Sequence, residues 1–167
     1  SDVYKRQIGR DRELAELDKL YNSDKFEFVV IYGRRRVGKT ALINNFIDDK
    51  NAIYFMGVES NEKQNLENMS RSILEYGNGI SSDNCFASYQ AALEYVFELS
   101  GTERVILAID EYPYVARESK SLPSTLQLLI DKYKDTSRLM LILCGSSMSY
   151  MEDNVLAYLS LIHISEP

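Results

Sequence analysis

The sequence has no tryptophan, one histidine, two cysteines and three prolines, and each scarcity narrows what it can be. Cys85 and Cys144 stand 59 positions apart, so neither a disulfide framework nor a paired thiolate metal site is indicated. Reduced thiols in a cytoplasmic setting are the expectation, with Cys144 packed into its apolar run as a small hydrophobe. No stretch approaches the roughly 20 apolar residues of a membrane-spanning helix. Basic residues are outnumbered, 19 Lys+Arg against 25 Asp+Glu for a net charge of −6, which disfavours nonspecific grip on nucleic acid. The twelve tyrosines form no regular platform on which bases could stack. Internal repeats and low-complexity tracts are absent.

The single histidine, His163, falls in a terminal segment unlike the rest. Asp2 to Gln7 back-translates to GAT GTG TAT AAG AGA CAG. Its reverse complement, CTG TCT CTT ATA CAC ATC, encodes Leu-Ser-Leu-Ile-His-Ile, which is residues 159–164. Ends coded by reverse-complementary DNA resemble a translated sequencing adapter, so 1–7 and 159–167 are set aside from the fold reading. The expectation is a single-domain core over 8–158, with a natural chain longer at both ends. Setting the ends aside removes two basic and two acidic residues and leaves the net charge at −6.

Within that core, apolar runs alternate with helical periodicity. Leu14, Leu17, Leu20 and Tyr21 predict a helix over 11–21. The run from Phe26 to Tyr32, rich in aromatic and β-branched residues, reads as a buried strand ending at Gly33. A helical stripe of Ala41, Leu42, Phe46 and Ile47 follows over 39–48. Strands are predicted at 52–56, 104–109 and 139–143, and helices at 61–76, 87–100 and 122–133, with Pro123 tolerated in the first turn of the last. Continuous apolar strands separated by helices imply an α/β three-layer sandwich around a mainly parallel sheet.

Four constellations carry chemistry. The first is Gly33-Arg34-Arg35-Arg36-Val37-Gly38-Lys39-Thr40, a full match to G-x-x-x-x-G-K-[ST] between a strand and an amphipathic helix. Its glycines let the loop fold tightly, so that backbone N–H groups from Gly33 through Val37, Gly38 and Ala41 face the phosphates of ATP at the positive end of the helix. Lys39 is suited to the terminal phosphates and the Thr40 hydroxyl to Mg²⁺. The side chains of Arg34, Arg35 and Arg36 are expected to point outward while the backbone binds, the alternative being contact with the phosphates.

The second constellation is the strand Arg104 to Ile109 followed by Asp110 and Glu111. At the carboxyl end of a neighbouring strand, Asp110 can hold Mg²⁺ through water. Glu111 either orients and deprotonates an attacking water or is a solvated acid opening a loop. In the third, Leu139 to Leu143 ends in Cys144-Gly145-Ser146-Ser147. Ser146, or nearly equally Ser147, can sense a γ-phosphate, the alternative being a plain Gly-Ser turn. The fourth, Ile8-Gly9-Arg10-Asp11-Arg12-Glu13-Leu14, either starts a helix and no more, or brings Gly9 and Arg10 against a nucleotide base.

Together these pieces resemble the archaeal-type ATPase family, a branch of AAA-like and STAND-like P-loop ATPases of archaea and bacteria. Ile8-Gly9-Arg10, the Gly-Arg-Arg-Arg form of the loop, Asp110-Glu111-Tyr112-Pro113-Tyr114 and Cys144-Gly145-Ser146-Ser147 carry the likeness across 8–158. The resemblance implies the additional-strand, catalytic-glutamate type of P-loop fold and Mg²⁺-dependent ATP hydrolysis that switches a partner or effector domain. Many members carry a C-terminal winged-helix or nuclease-like domain, and self-association is a further possibility. A Tyr-Gly-Arg element that follows the sensor strand in the family, a candidate charge-stabilising arginine, is not found before the adapter-like tail. A nucleotide-gated binding module with negligible turnover and a DNA-handling or defence ATPase therefore stand as alternatives, and these 167 residues are expected to bind nucleotide better than they turn it over.

Overall fold

The computed structural model describes residues 10–78, 84–146 and 160–163. In chain order the elements are α1 (Asp11–Tyr21), β1 (Glu27–Tyr32), α2 (Lys39–Ile47), β2 (Ala52–Met56), α3 (Glu62–Asn78), α4 (Tyr89–Leu99), β3 (Val105–Asp110), α5 (Tyr112–Glu118), α6 (Leu122–Tyr133), β4 (Leu139–Gly145) and β5 (Ser160–His163). All pairings in the sheet are parallel, in the order β2-β3-β4-β1-β5. β4 therefore lies between the strand that leads into the Gly33–Thr40 loop and the strand that ends in Asp110.

Strand alternation builds two hydrophobic layers from one sheet. Phe28 and Val30 of β1, Leu107 and Ile109 of β3, and Leu141 and Leu143 of β4 face α3, α4, α5 and α6. Val29, Ile31, Ile106, Ala108, Met140, Ile142 and Cys144 face the other way, against Leu17 of α1 and Leu42, Ile43 and Phe46 of α2. A sheet covered on both faces needs apolar residues at every position, which is why β3 and β4 are buried along their whole length. The same period of two puts Tyr54, Asp110 and Cys144 on the α2 side, at the carboxyl ends of their strands.

Several elements differ from the sequence-based expectation for identifiable reasons. Ser160–His163, part of the segment set aside as adapter-like, forms β5 along the free edge of β1, with Ile162 buried in the α2-side layer. Parallel pairing needs only backbone amides and one inward apolar side chain, and Ile162 supplies it. Ala41 is exposed on α2, and Ile43 takes the buried place that the predicted stripe gave it. The seven-residue α5 has too few turns to show a period; its Pro113 sits in the first turn, where no N–H is needed. Arg104 does not join β3. Its guanidinium donates to the carbonyls of Leu20 and Tyr21 at the end of α1 (2.9 and 3.1 Å) and to those of Lys25 and Arg138, tying helix, loop and two strand starts together.

Among the described residues, no helix is long and apolar enough to cross a membrane, and no cluster of three or more His, Cys, Asp or Glu is placed to hold a metal.

Candidate functional site

The loop between β1 and α2 turns through left-handed backbone at Arg36 (φ 66°) and at Gly38 (φ 96°), the residue that caps α2. A side chain at Gly38 would be strained at this φ, which is the physical reason for a glycine there. Lys39 is only 6% exposed, and its Nζ donates to the carbonyls of Gly33 (2.7 Å) and Arg34 (2.5 Å). The ammonium is thus held against the loop that it serves, with one N–H beyond those two contacts. Val37 is buried and its carbonyl accepts from Arg10 Nη2. Arg10 also pairs with Glu13 at 3.7 Å, and its guanidinium lies 4.0 Å from where a Cβ on Gly38 would sit. Arg10, immediately before α1, therefore touches the loop. Gly9 and Ser147 lie outside the described residues.

Across the sheet, Thr40 Oγ1 donates to Asp110 Oδ2 at 2.7 Å. Asp110 is fully buried, and its carboxylate is organised from three sides: Tyr54 Oη donates to Oδ2 at 2.6 Å, and the Glu111 N–H donates to Oδ1 at 2.9 Å. Burial, then the hydrogen bond to Asp110, pushes the Tyr54 phenol far above its ordinary range, so it remains an O–H donor. Burial, followed by the charge of Asp110, also raises the Cys144 thiol well above its usual value, so the residue behind the carboxylate stays neutral. Cys144 is fully buried, as its apolar run implies, and also borders the site.

Glu111 leaves β3 in the left-handed region (φ 52°, ψ 40°), a conformation that a non-glycine residue holds only when its surroundings fix it. Gly57 supplies part of that constraint. Its N–H donates to Asp110 O at 2.8 Å, and a Cβ there would meet Val115 Cγ2 at 2.6 Å and Glu111 O at 2.7 Å. Burial, then the charge of Asp110, raises the Glu111 carboxyl above its ordinary value, while Lys39 and Arg35 pull it down. Beside Glu111 opens a cleft of about 230 Å³ that Ser146 also lines, together with Arg35, Pro113, Tyr114 and Arg117.

The structure thus brings Arg10, Val37, Gly38, Lys39, Thr40, Asp110, Glu111 and Ser146 to one end of the sheet. Ala41 sits exposed on the first turn of α2. Two residues escaped the sequence reading. Tyr54 had a usable signal, because alternation in Ala52-Ile53-Tyr54-Phe55-Met56 turns its hydroxyl toward the Asp110 side, where a buried O–H needs an acceptor. Arg35 had none. Arg35 is exposed, and its Nη2 donates to Tyr114 Oη at 2.7 Å, a contact across 79 positions that no local pattern signals.

A glycine-capped loop, a threonine bonded to the aspartate of a second strand, a glutamate directly after it and a strand between the two define a P-loop ATPase domain of the additional-strand type. The hard oxygen donors of Thr40 and Asp110 suit Mg²⁺. The chain belongs to the family described as the ATPase domain predominantly from Archaea, whose model matches residues 8–163.

An uncharacterized protein of Methanocaldococcus jannaschii is 32% identical over 153 residues, covering 92% of this chain and 32% of that protein. An uncharacterized ATP-binding protein of the same organism is 44% identical over 43 residues, 26% of this chain and 73% of its own length. The chain thus spans about a third of the first of these relatives. In fold it is similar to a Walker-type ATPase of Pyrococcus abyssi (TM-score 0.67, 19% identity, 93% of this chain and 53% of that one). The Aeropyrum pernix ORC1 protein in complex with DNA (TM-score 0.66, 15% identity, 93% and 45%) is similar to a comparable degree.

Proposed function

We propose that this domain binds Mg²⁺-ATP at residues 33–40 and, in the complete protein, hydrolyses it to switch a partner or C-terminal effector domain. The observation that carries this reading is the Thr40–Asp110 hydrogen bond of 2.7 Å with Glu111 next in the chain, a metal-binding pair and a base at the mouth of one loop. The loop amides and Lys39 bind the β- and γ-phosphates, and Thr40 and Asp110 hold the metal, Asp110 through water. Mg²⁺, when bound, neutralises charge on the phosphate oxygens. Glu111 orients the attacking water and accepts its proton. Its raised pKa makes it a better proton acceptor than a solvated glutamate. Ser146 contacts the γ-phosphate across the cleft, and Arg10 lies toward the base.

The fold likeness to an ORC1 protein bound to DNA raises a nucleic-acid role, but the net charge of −6 weighs against this core making such contacts itself. Titration of a fluorescent ATP analogue into the parent and Lys39→Ala tests the binding step. Loss of at least 100-fold in affinity is expected, because a phosphate-facing cation is removed from a buried place. Equal affinity of the two would refute the assignment of the loop. Phosphate release from the full-length parent tests turnover, and saturable, Mg²⁺-dependent release is the expected result.

A further inference from the structure

We propose that Arg35, inside the loop itself, is a catalytic residue whose guanidinium contacts the terminal phosphate from within the same chain and stabilises the charge that develops there. The inference rests on the ATPase reading above. In the step concerned, the oxygen of water bonds to the γ-phosphorus and the bond from that phosphorus to the β–γ bridging oxygen breaks. The proton of the water passes to the Glu111 carboxylate, and ADP and inorganic phosphate result. Arg35 exchanges no atoms; it donates hydrogen bonds.

Three observations converge on it. First, Arg35, Arg117, Glu111, Tyr114 and Ser146 line one cleft, so two guanidiniums and two hydroxyls share with a single carboxylate the space where a phosphoryl group would face the base. Second, Arg35 and Glu111 are held in fixed relation. The Tyr114 phenol accepts from Arg35 Nη2 at 2.7 Å, and the Tyr114 N–H donates to the Glu111 carbonyl at 3.1 Å, so the anchor of the arginine is bonded to the peptide of the base. Third, the peptide preceding Arg35 is the one whose carbonyl holds Lys39 Nζ at 2.5 Å, so the two cations flank the same stretch of loop.

A neutral phenol as partner leaves the charge of Arg35 uncompensated by that bond, and a guanidinium has five N–H donors of which the contact uses one. A planar fork of this kind suits phosphoryl oxygens better than a point charge does.

The test compares parent, Arg35→Ala, Arg35→Lys and Tyr114→Phe in the full-length protein. Affinity is measured for Mg²⁺-ADP alone and for Mg²⁺-ADP with fluoroaluminate, which mimics the phosphoryl group in transfer. Single-turnover ATP cleavage is followed alongside. Arg35→Ala should keep Mg²⁺-ADP affinity within about threefold while losing roughly 100- to 1000-fold in fluoroaluminate-complex affinity and in cleavage rate. Arg35→Lys should recover only part of the loss, and Tyr114→Phe should fall between parent and Arg35→Ala. An arginine with a merely structural role would lower both affinities together or neither, and either pattern overturns the proposal. If Glu111→Gln blocks cleavage while Arg35→Ala matches the parent, the Arg35 proposal fails alone. If the parent neither cleaves ATP nor prefers the fluoroaluminate complex, the ATPase reading and this inference fall together.

Discussion

Thr40 and Asp110, 70 positions apart, meet through a 2.7 Å hydrogen bond from the threonine hydroxyl to the aspartate carboxylate. A helix start and a strand end that touch through a hydroxyl and a carboxylate bring two hard oxygen donors to one point, which is the requirement of Mg²⁺. Asp110→Asn should therefore weaken the Mg²⁺-dependent part of nucleotide affinity by about 10-fold or more and leave metal-free binding near the parent value. Isothermal titration with ADP, in EDTA and in excess Mg²⁺, separates the two. Loss of metal-free affinity to the same extent would place Asp110 in phosphate binding instead.

Tyr54 carries a second prediction. Its hydroxyl donates to the same carboxylate oxygen at 2.6 Å and the residue is half-buried, so it fixes how Asp110 points. Tyr54→Phe preserves the ring and removes the donor. Apparent Mg²⁺ affinity in the presence of ADP should drop by about 10-fold, with metal-free ADP affinity unchanged. A variant that matches the parent in a Mg²⁺ titration would reduce Tyr54 to packing.

Gly57 lies where a Cβ would press on Val115 and on the Glu111 carbonyl, at 2.6 and 2.7 Å. The Glu111 peptide and α5 must shift to admit it. Gly57→Ala should cost about 1–3 kcal/mol of stability and displace the Glu111 side chain, lowering single-turnover cleavage by more than it lowers ATP affinity. Melting temperature and cleavage measured on one preparation check both halves. An alanine variant as stable and as active as the parent would show that the close approach does not matter.

Arg104 is the stability prediction remote from the site. Truncation to alanine strands carbonyls at the end of α1, in the loop after it and at the start of β4. A loss of about 2–3 kcal/mol is expected, lowering the melting temperature by roughly 4–12 °C, with nucleotide affinity at low temperature retained. A shift of less than 1 °C, well under the roughly 2 °C expected per kcal/mol, would mean the four acceptors find water at no cost.

Most of the sheet and the loop were legible because their signals are local. β1, β3 and β4 are apolar without interruption since both of their faces are covered, and a strand running into Gly33 to Thr40 has few alternative structures. Asp110 and Glu111 could be placed because a strand end fixes where its last residue goes. What escaped is set by contacts distant in sequence. Arg35 is exposed, but its bond to Tyr114, on a helix only seven residues long, has no local signal. Tyr54 reads as one more strand residue until the parallel register of β2 with β3, which sets Tyr54 opposite Ala108, brings its hydroxyl to Asp110. Ser160–His163, set aside as adapter-like and so left out of the fold reading, pairs along the free edge of β1.

The central claim is that Glu111 activates water at this site, and single-turnover cleavage of ATP by the full-length protein tests it most directly. Parent and Glu111→Gln are mixed in excess over labelled ATP with Mg²⁺, and bound nucleotide and released phosphate are followed together. Glutamine keeps the size and the hydrogen-bonding reach of the side chain but cannot take a proton. Glu111→Gln should therefore hold ATP as tightly as the parent while cleaving it about 100-fold or more slowly. Cleavage by Glu111→Gln at the parent rate would contradict the account.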